Sequence, residues 1–153
     1  MHLLFDTNIV LDFLRNGPIT QSIDKEFDLN SSNVTFIISA VTIGELNAIA
    51  LKRNWGLNRI NRLQSDLLKF LVIPVNSKDV LNTYAVIDAF SQGKLKNQPL
   101  PRWTSSRNMG KNDLWIAAAA FVTKSVFLTT DKDFSHLKDT FLDARIYDPS
   151  KYY

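Results

Sequence analysis

The segment His2-Leu3-Leu4-Phe5-Asp6-Thr7-Asn8 runs from apolar residues into three small polar ones, and apolar residues then return as Ile9, Val10, Phe13 and Leu14. The apolar run has the length of a buried strand, the polar triplet that of a tight turn, and the returning residues mark one side of a helix. In an open α/β sheet the groups just past the carboxyl ends of the strands face the crevice where ligands bind. This reading puts Asp6 at the mouth of that crevice.

Downstream of this unit the same alternation repeats. Gly17-Pro18 starts a helix with Pro at its first position and Ile19, Ile23 and Phe27 at four-residue spacing, before Asn30-Ser31-Ser32-Asn33 breaks the chain. Val34-Thr35-Phe36-Ile37-Ile38-Ser39 is a β-rich run without clean alternation, as expected of a strand buried on both faces. It feeds a helix over residues 40–53, with Glu45 one turn in. Residues 57–71 are expected as one helix with Leu57, Ile60, Leu63, Leu67, Leu68 and Leu71 on its apolar side. Val72-Ile73-Pro74-Val75, which contains a proline, is expected as an edge strand. Ser77 caps a helix to about residue 90. The stretch 91–111 has no helical or strand period, and connections that long tend to be functional or mobile. A helix dense in alanine over 114–121, a strand at 125–129, a short helix and a last strand near 144–147 complete the pattern. Strands alternating with helices predict an α/β fold: one domain over residues 1–153, its mainly parallel central sheet of about four to five strands covered by helices on both faces.

Bulk properties narrow the chemistry. With 153 residues, 45% hydrophobic and 22% charged, the chain has the composition of a globular domain with one substantial core. No apolar run approaches the roughly 20 residues of a membrane span, and the N-terminus lacks an export-type basic region and apolar core, so the expected location is the cytoplasm. There is no cysteine, which removes disulfides, thiolate metal sites and a cysteine nucleophile, and two histidines leave little room for imidazole zinc chemistry. Any bound metal therefore has oxygen ligands. Net charge is only +3, but residues 52–69 carry a local +4 and residues 91–112 a local +5, leaving the rest of the chain at −6. Basic segments on an otherwise acidic chain suit a polyanion such as nucleic acid; solvated faces are the alternative.

Four acids share a setting. Asp6 and Asp131 follow strands directly, while Glu45 and Asp113 sit in the first turns of crossover helices, so all four are expected over one edge of the sheet. Singly each has a structural reading: Asp6 as a helix N-cap, Asp113 as first-turn negative charge, Asp133 as a cap for the helix at Phe134, Glu45 as an exposed helix residue. Together, four carboxylates in one cleft repel unless some protonate or a cation compensates. The hard ions Mg²⁺ and Mn²⁺ choose such oxygen ligands, and they leave coordination positions for a phosphate oxygen and for an acidified water. Metal-assisted phosphodiester hydrolysis requires that combination.

Leu4-Phe5-Asp6-Thr7-Asn8, Thr42-Ile43-Gly44-Glu45-Leu46, Gly110-Lys111-Asn112-Asp113-Leu114-Trp115-Ile116-Ala117-Ala118 and Thr129-Thr130-Asp131-Lys132-Asp133-Phe134 closely resemble the four motifs of PIN-domain ribonucleases. Within them the sequence looks like the VapC-type toxins of bacterial toxin–antitoxin pairs. The resemblance implies a Mg²⁺- or Mn²⁺-dependent endoribonuclease, often a homodimer, held inactive by a VapB-like antitoxin that inserts a segment into the active site. Carried over by position, Asp6, Asp113 and Asp131 are the main metal ligands. Glu45 completes the cluster, binding a second metal or positioning the attacking water. Asn8 and Thr130 match polar supporting positions, and Asp133 varies among members as a ligand.

Arg107 and Lys111, on the long loop just before Asp113, are the candidate phosphate contacts, with solvated charge as the alternative. Trp103 is read either as a base-stacking group or as packing onto the domain or a second subunit. Trp115 is assigned to the core, and His2 and His136 to structural roles. The implied substrate is tRNA or ribosomal RNA. A receiver domain expects two adjacent acids after its first strand, and a haloacid-dehalogenase-type phosphatase expects Asp-x-Asp; here Asp6 is followed by Thr7-Asn8. A housekeeping PIN nuclease in RNA processing and a non-cleaving module that binds RNA or a partner remain as alternatives.

Overall fold

The computed structural model describes residues 1–153. Its strands are β1 (His2–Phe5), β2 (Thr35–Ser39), β3 (Phe70–Ile73), β4 (Val126–Thr129) and β5 (Asp143–Ile146). Its helices are α1 (Thr7–Leu14), α2 (Pro18–Phe27), α3 (Ala40–Lys52), α4 (Leu57–Leu67), α5 (Lys78–Ser91) and α6 (Lys111–Val122), with a 3-10 helix at Lys132–Leu137. The five strands form one sheet in the order β3-β2-β1-β4-β5, and every pairing is parallel. The α/β expectation is borne out.

The pleat of β1 explains why helices cover both faces. Leu3 and Phe5 point into a core layer with Ile38 and Leu128, against Ile9 and Val10 of α1, Ile19 and Ile23 of α2, and Leu46 of α3. Leu4 points the other way, into a layer with Ile37 and Phe127 against Ile87 and Phe90 of α5 and Leu114, Ile116 and Ala117 of α6. Leu3, Leu4 and Phe5 are all fully buried, so β1 carries a continuous apolar run because it lies mid-sheet between two helical layers. The alanines of α6 are buried as well, and their small side chains let α6 pack closely against α5.

One boundary is corrected. The helix expected over 57–71 ends at Leu67, and Phe70–Ile73 is a strand two residues earlier than its expected start. Phe36 to Ser39 pair in register with Phe70 to Ile73, and this pairing overrides the helical spacing of Leu67, Leu68 and Leu71. Of the supposed apolar face, only Leu63 is buried, while Leu57 and Leu68 are exposed. The strand lies at the edge of the sheet, as expected, and ends at Ile73, just before Pro74.

Connectivity locates the ligand crevice. The chain builds β1, β2 and β3 in one direction, then returns to add β4 and β5 on the other side of β1. Where the strand order reverses, between β1 and β4, the flanking connections run to opposite sides and leave a gap at the carboxyl ends. Asp6 follows β1 and Asp131 follows β4, one on each side of that gap.

Candidate active site

Asp6 is 6% exposed and caps α1, its Oδ1 accepting the Thr7 N–H at 2.7 Å. Its backbone N–H donates to the Leu128 carbonyl at 3.0 Å, which continues the β1–β4 pairing up to the acid itself. Oδ2 accepts the Thr129 hydroxyl at 2.7 Å, and the same hydroxyl accepts the Asp131 N–H at 3.0 Å. Asp131 in turn caps the 3-10 helix, its Oδ1 accepting the Asp133 N–H at 2.7 Å. The cap is therefore Asp131, not Asp133, whose own side chain is exposed in the first turn.

Glu45 is fixed from two sides. Its Oε2 accepts the Thr7 hydroxyl in a short hydrogen bond, and its Oε1 accepts the Asn112 side-chain amide at 2.8 Å. These bonds tie α3 to the start of α1 and to the first turn of α6. Asp113, the next residue, lies against Gly110, where an added Cβ would come within 3.0 Å of its Oδ2.

The electrostatics show that the four acids share one field. Burial pushes the Asp6 carboxyl up to about 6; its Thr129 and Thr7 hydrogen bonds pull it down, and the charges of Glu45 and Asp131 add to the rise. Burial likewise pushes Asp113 up to about 6, helped by Asp6, Asp131, Glu45 and Asp133. No lysine or arginine forms a salt bridge with any of these acids. No three of them are close enough as they stand to chelate an ion. The result is an open, oxygen-only cluster short of positive charge, which is the donor chemistry a hard divalent cation fits.

The remaining expected residues are distributed less evenly. Asn8 is exposed on the first turn of α1, and Thr130 is half-buried; neither hydrogen-bonds to the carboxylates. The polar side chains that do so are Thr7, Asn112 and Thr129, each adjacent in sequence to a residue already singled out. Arg107 reaches the motif but is engaged there, its guanidinium donating to the Asp133 carbonyl at 3.0 Å. Lys111 is exposed at the start of α6. Trp103 is 95% exposed, and Trp115 is half-buried with its ring 4.1 Å from that of Tyr84. His136 is buried; its Nε2 meets the Ser91 hydroxyl at 2.7 Å and its Nδ1 the Asp133 carbonyl at 3.0 Å. Burial and the Arg107 charge hold its pKa below the usual histidine value, so a neutral imidazole straps the 3-10 helix to α5. His2 meets the Thr123 carbonyl.

Sheet and site together define an α/β protein with an acidic oxygen-donor centre at the switch point of a parallel sheet. The chain belongs to the PIN domain family, whose model matches residues 3–139. A comparison with curated proteins finds no match. Among solved structures, VapBC2 from Rickettsia felis, bound to a promoter DNA fragment, superposes with a TM-score of 0.74 at 20% identity, covering 97% of this chain and 100% of that one. VapBC-1 from nontypeable Haemophilus influenzae gives 0.70 at 22% identity, covering 95% and 98%. A toxin–antitoxin complex from Klebsiella pneumoniae gives 0.58 at 21% identity, covering 94% and 95%. No helix of the chain is long and apolar enough to cross a membrane.

Proposed function

We propose that this chain is a Mg²⁺- or Mn²⁺-dependent endoribonuclease acting as the toxin of a VapBC-type toxin–antitoxin pair, with tRNA or ribosomal RNA as substrate. The observation that carries the reading is the convergence of Asp6, Glu45, Asp113 and Asp131 at the β1–β4 switch point, with no basic side chain paired to them. The toxin role and a VapB-like partner draw support from the likeness to chains of VapBC and toxin–antitoxin complexes. In this reading the protein works as a cytoplasmic homodimer.

Asp6, Asp113 and Asp131 would hold the ion, with Asp133 as a further candidate ligand. When bound, the ion supplies Lewis acidity toward a phosphate oxygen and acidifies a water. Thr129 keeps Asp6 and the Asp131 backbone in fixed relation. Glu45, held by Thr7 and Asn112, retains lone pairs on both oxygens with which to orient the attacking water.

The test is incubation of total tRNA and ribosomal RNA with the purified protein, freed of any antitoxin, in Mg²⁺ or Mn²⁺. Asp6→Asn and Asp113→Asn variants and an EDTA control run beside it. Discrete fragments that vanish with chelator and in both variants support the reading, and their ends name the substrate. Intact RNA under all conditions overturns it. Growth arrest on expression, relieved by the product of a neighbouring small gene, separates a toxin from a housekeeping nuclease.

A further inference from the structure

A cavity of about 860 Å³ opens beside the carboxylate cluster. That is within the range of ligand-binding clefts, about 300–1,000 Å³. Asn8 and Thr130, two residues after Asp6 and one before Asp131, belong to its lining, so the cavity borders the acidic edge although none of the four acids lines it.

Its walls are unusual in charge. Arg15, Arg53, Arg59 and Arg62 all line it. No carboxylate lies within 4.0 Å of Arg15, Arg53 or Arg59, and Arg62 has only Asp66 at 3.8 Å, a carboxylate that Lys69 already holds at 2.7 Å. The one acid in the lining, Asp12, is 1% exposed, and its oxygens are taken by the Thr20 N–H and hydroxyl, each at 2.7 Å, and by the Tyr153 hydroxyl. The Arg59 guanidinium stacks over the Trp55 ring, 3.7 Å from its centroid, and the buried indole N–H has no acceptor. A stacked guanidinium is held in place while its N–H edge stays available to an oxyanion.

We propose that this arginine-lined groove holds backbone phosphates of the RNA strand next to the phosphate that is cleaved, with Arg59 on its Trp55 platform and Arg62 as principal contacts. The inference rests on the ribonuclease reading above and supplies what the acidic centre lacks. Four carboxylates repel a phosphate backbone, so a strand laid across them needs positive charge immediately alongside. Of the other basic residues at the edge, Arg107 is occupied by the Asp133 carbonyl and Lys132 by Asp148, which leaves Lys111 as a single exposed charge at the start of α6. Three of the four arginines come from the basic stretch 52–69, which thereby acquires a location and a ligand.

The experiment is fluorescence-anisotropy binding of a short labelled single-stranded RNA in EDTA, titrated with salt between about 50 and 200 mM. Arg59→Gln/Arg62→Gln is compared with Lys94→Gln/Lys96→Gln, an equal charge change on the other basic segment. All four side chains are exposed, and matching thermal midpoints verify folding. The arginine pair is expected to bind about tenfold more weakly or worse, its salt slope falling by about 0.7 per lost phosphate contact, while the lysine pair stays at the wild-type value. Equal losses in both pairs, or no loss in the arginine pair, overturn the proposal. It also falls if the arginine pair keeps RNA but loses an acidic, leucine-containing peptide probe, which assigns the groove to a protein partner. A wild type that binds RNA through these arginines yet never cleaves it leaves the groove standing while the nuclease reading falls. Cleavage that the arginine pair performs with unaltered RNA binding does the reverse.

Discussion

The Thr129 hydroxyl donates to Asp6 Oδ2 at 2.7 Å across the junction of β1 and β4. Because the Thr129 hydroxyl oxygen also accepts the Asp131 N–H, one side chain couples the acids that follow two different strands. Thr129→Val keeps the shape and removes the hydroxyl, leaving a buried carboxylate oxygen and a backbone N–H without their partner. Stability is expected to fall by about 1–3 kcal/mol in denaturant titrations. RNA cleavage should drop about 10–100-fold, as for other groups that orient metal-binding carboxylates. Full activity in this variant would mean that Asp6 is held well enough by Thr7 alone.

Asp6 itself makes the chain sensitive to pH when no divalent ion is present. Its carboxyl titrates at about 6 in the fold, against about 3.9 in an unfolded chain. The folded state therefore holds the proton more tightly, so stability is lost as pH rises from the lower value, and the loss is complete above the higher one. Keeping this carboxylate ionised inside the fold costs about 3 kcal/mol relative to the unfolded chain. In EDTA, Asp6→Asn is expected to gain on wild type between about pH 4.5 and pH 7.5 by several degrees of thermal midpoint. Mg²⁺ or Mn²⁺ should recover much of that loss in the wild type alone. A difference between the two proteins that is flat with pH would remove the raised pKa.

Glu45 offers a separation of roles. Asn112→Ala deletes the amide that holds its Oε1 but leaves the Thr7 bond to Oε2 and all the aspartates intact. Catalytic turnover is expected to fall about tenfold with thermal midpoint and divalent-ion affinity little changed. An equal fall in ion affinity would place Glu45 among the primary ligands instead.

Gly17 tests how closely the start of α2 packs against Asp12 of α1. It precedes Pro18, and an added Cβ would sit 2.6 Å from the Asp12 Cγ, which cannot retreat because Thr20 holds Asp12 Oδ2 through two hydrogen bonds. Gly17→Ala is expected to destabilise the protein by about 1–3 kcal/mol, measured by chemical denaturation. Here the glycine supplies space, its φ of −71° being ordinary for any residue.

The positions of the four acids are legible in the sequence because Asp6 and Asp131 stand where an apolar strand run ends, and Glu45 and Asp113 sit early in helices whose apolar residues are written locally. Thr7, Asn112 and Thr129 are not, since their partners lie 38, 67 and 123 residues away and no local pattern marks such bonds. The end of α4 is hidden for a different reason: Leu67, Leu68 and Leu71 keep a helical spacing through a segment that β2 recruits as a strand. Basic residues at 52–69 are visible as charge, but their gathering around Trp55 depends on how α4 folds back against α1.

The place of β1 in the middle of the sheet also orders events in time. Leu3 to Phe5 find one set of neighbours in Thr35 to Ile37 and the other only in Val126 to Leu128. A chain emerging from the ribosome can assemble β1, β2 and β3 early, yet Asp6 then faces an empty flank, without Thr129, Asp131 or the helix that carries Asp113. Long-range parallel pairing is the slow part of folding. The charged centre is thus completed only once β4 and the residues after it have joined the sheet, and a prematurely terminated chain lacks half of it.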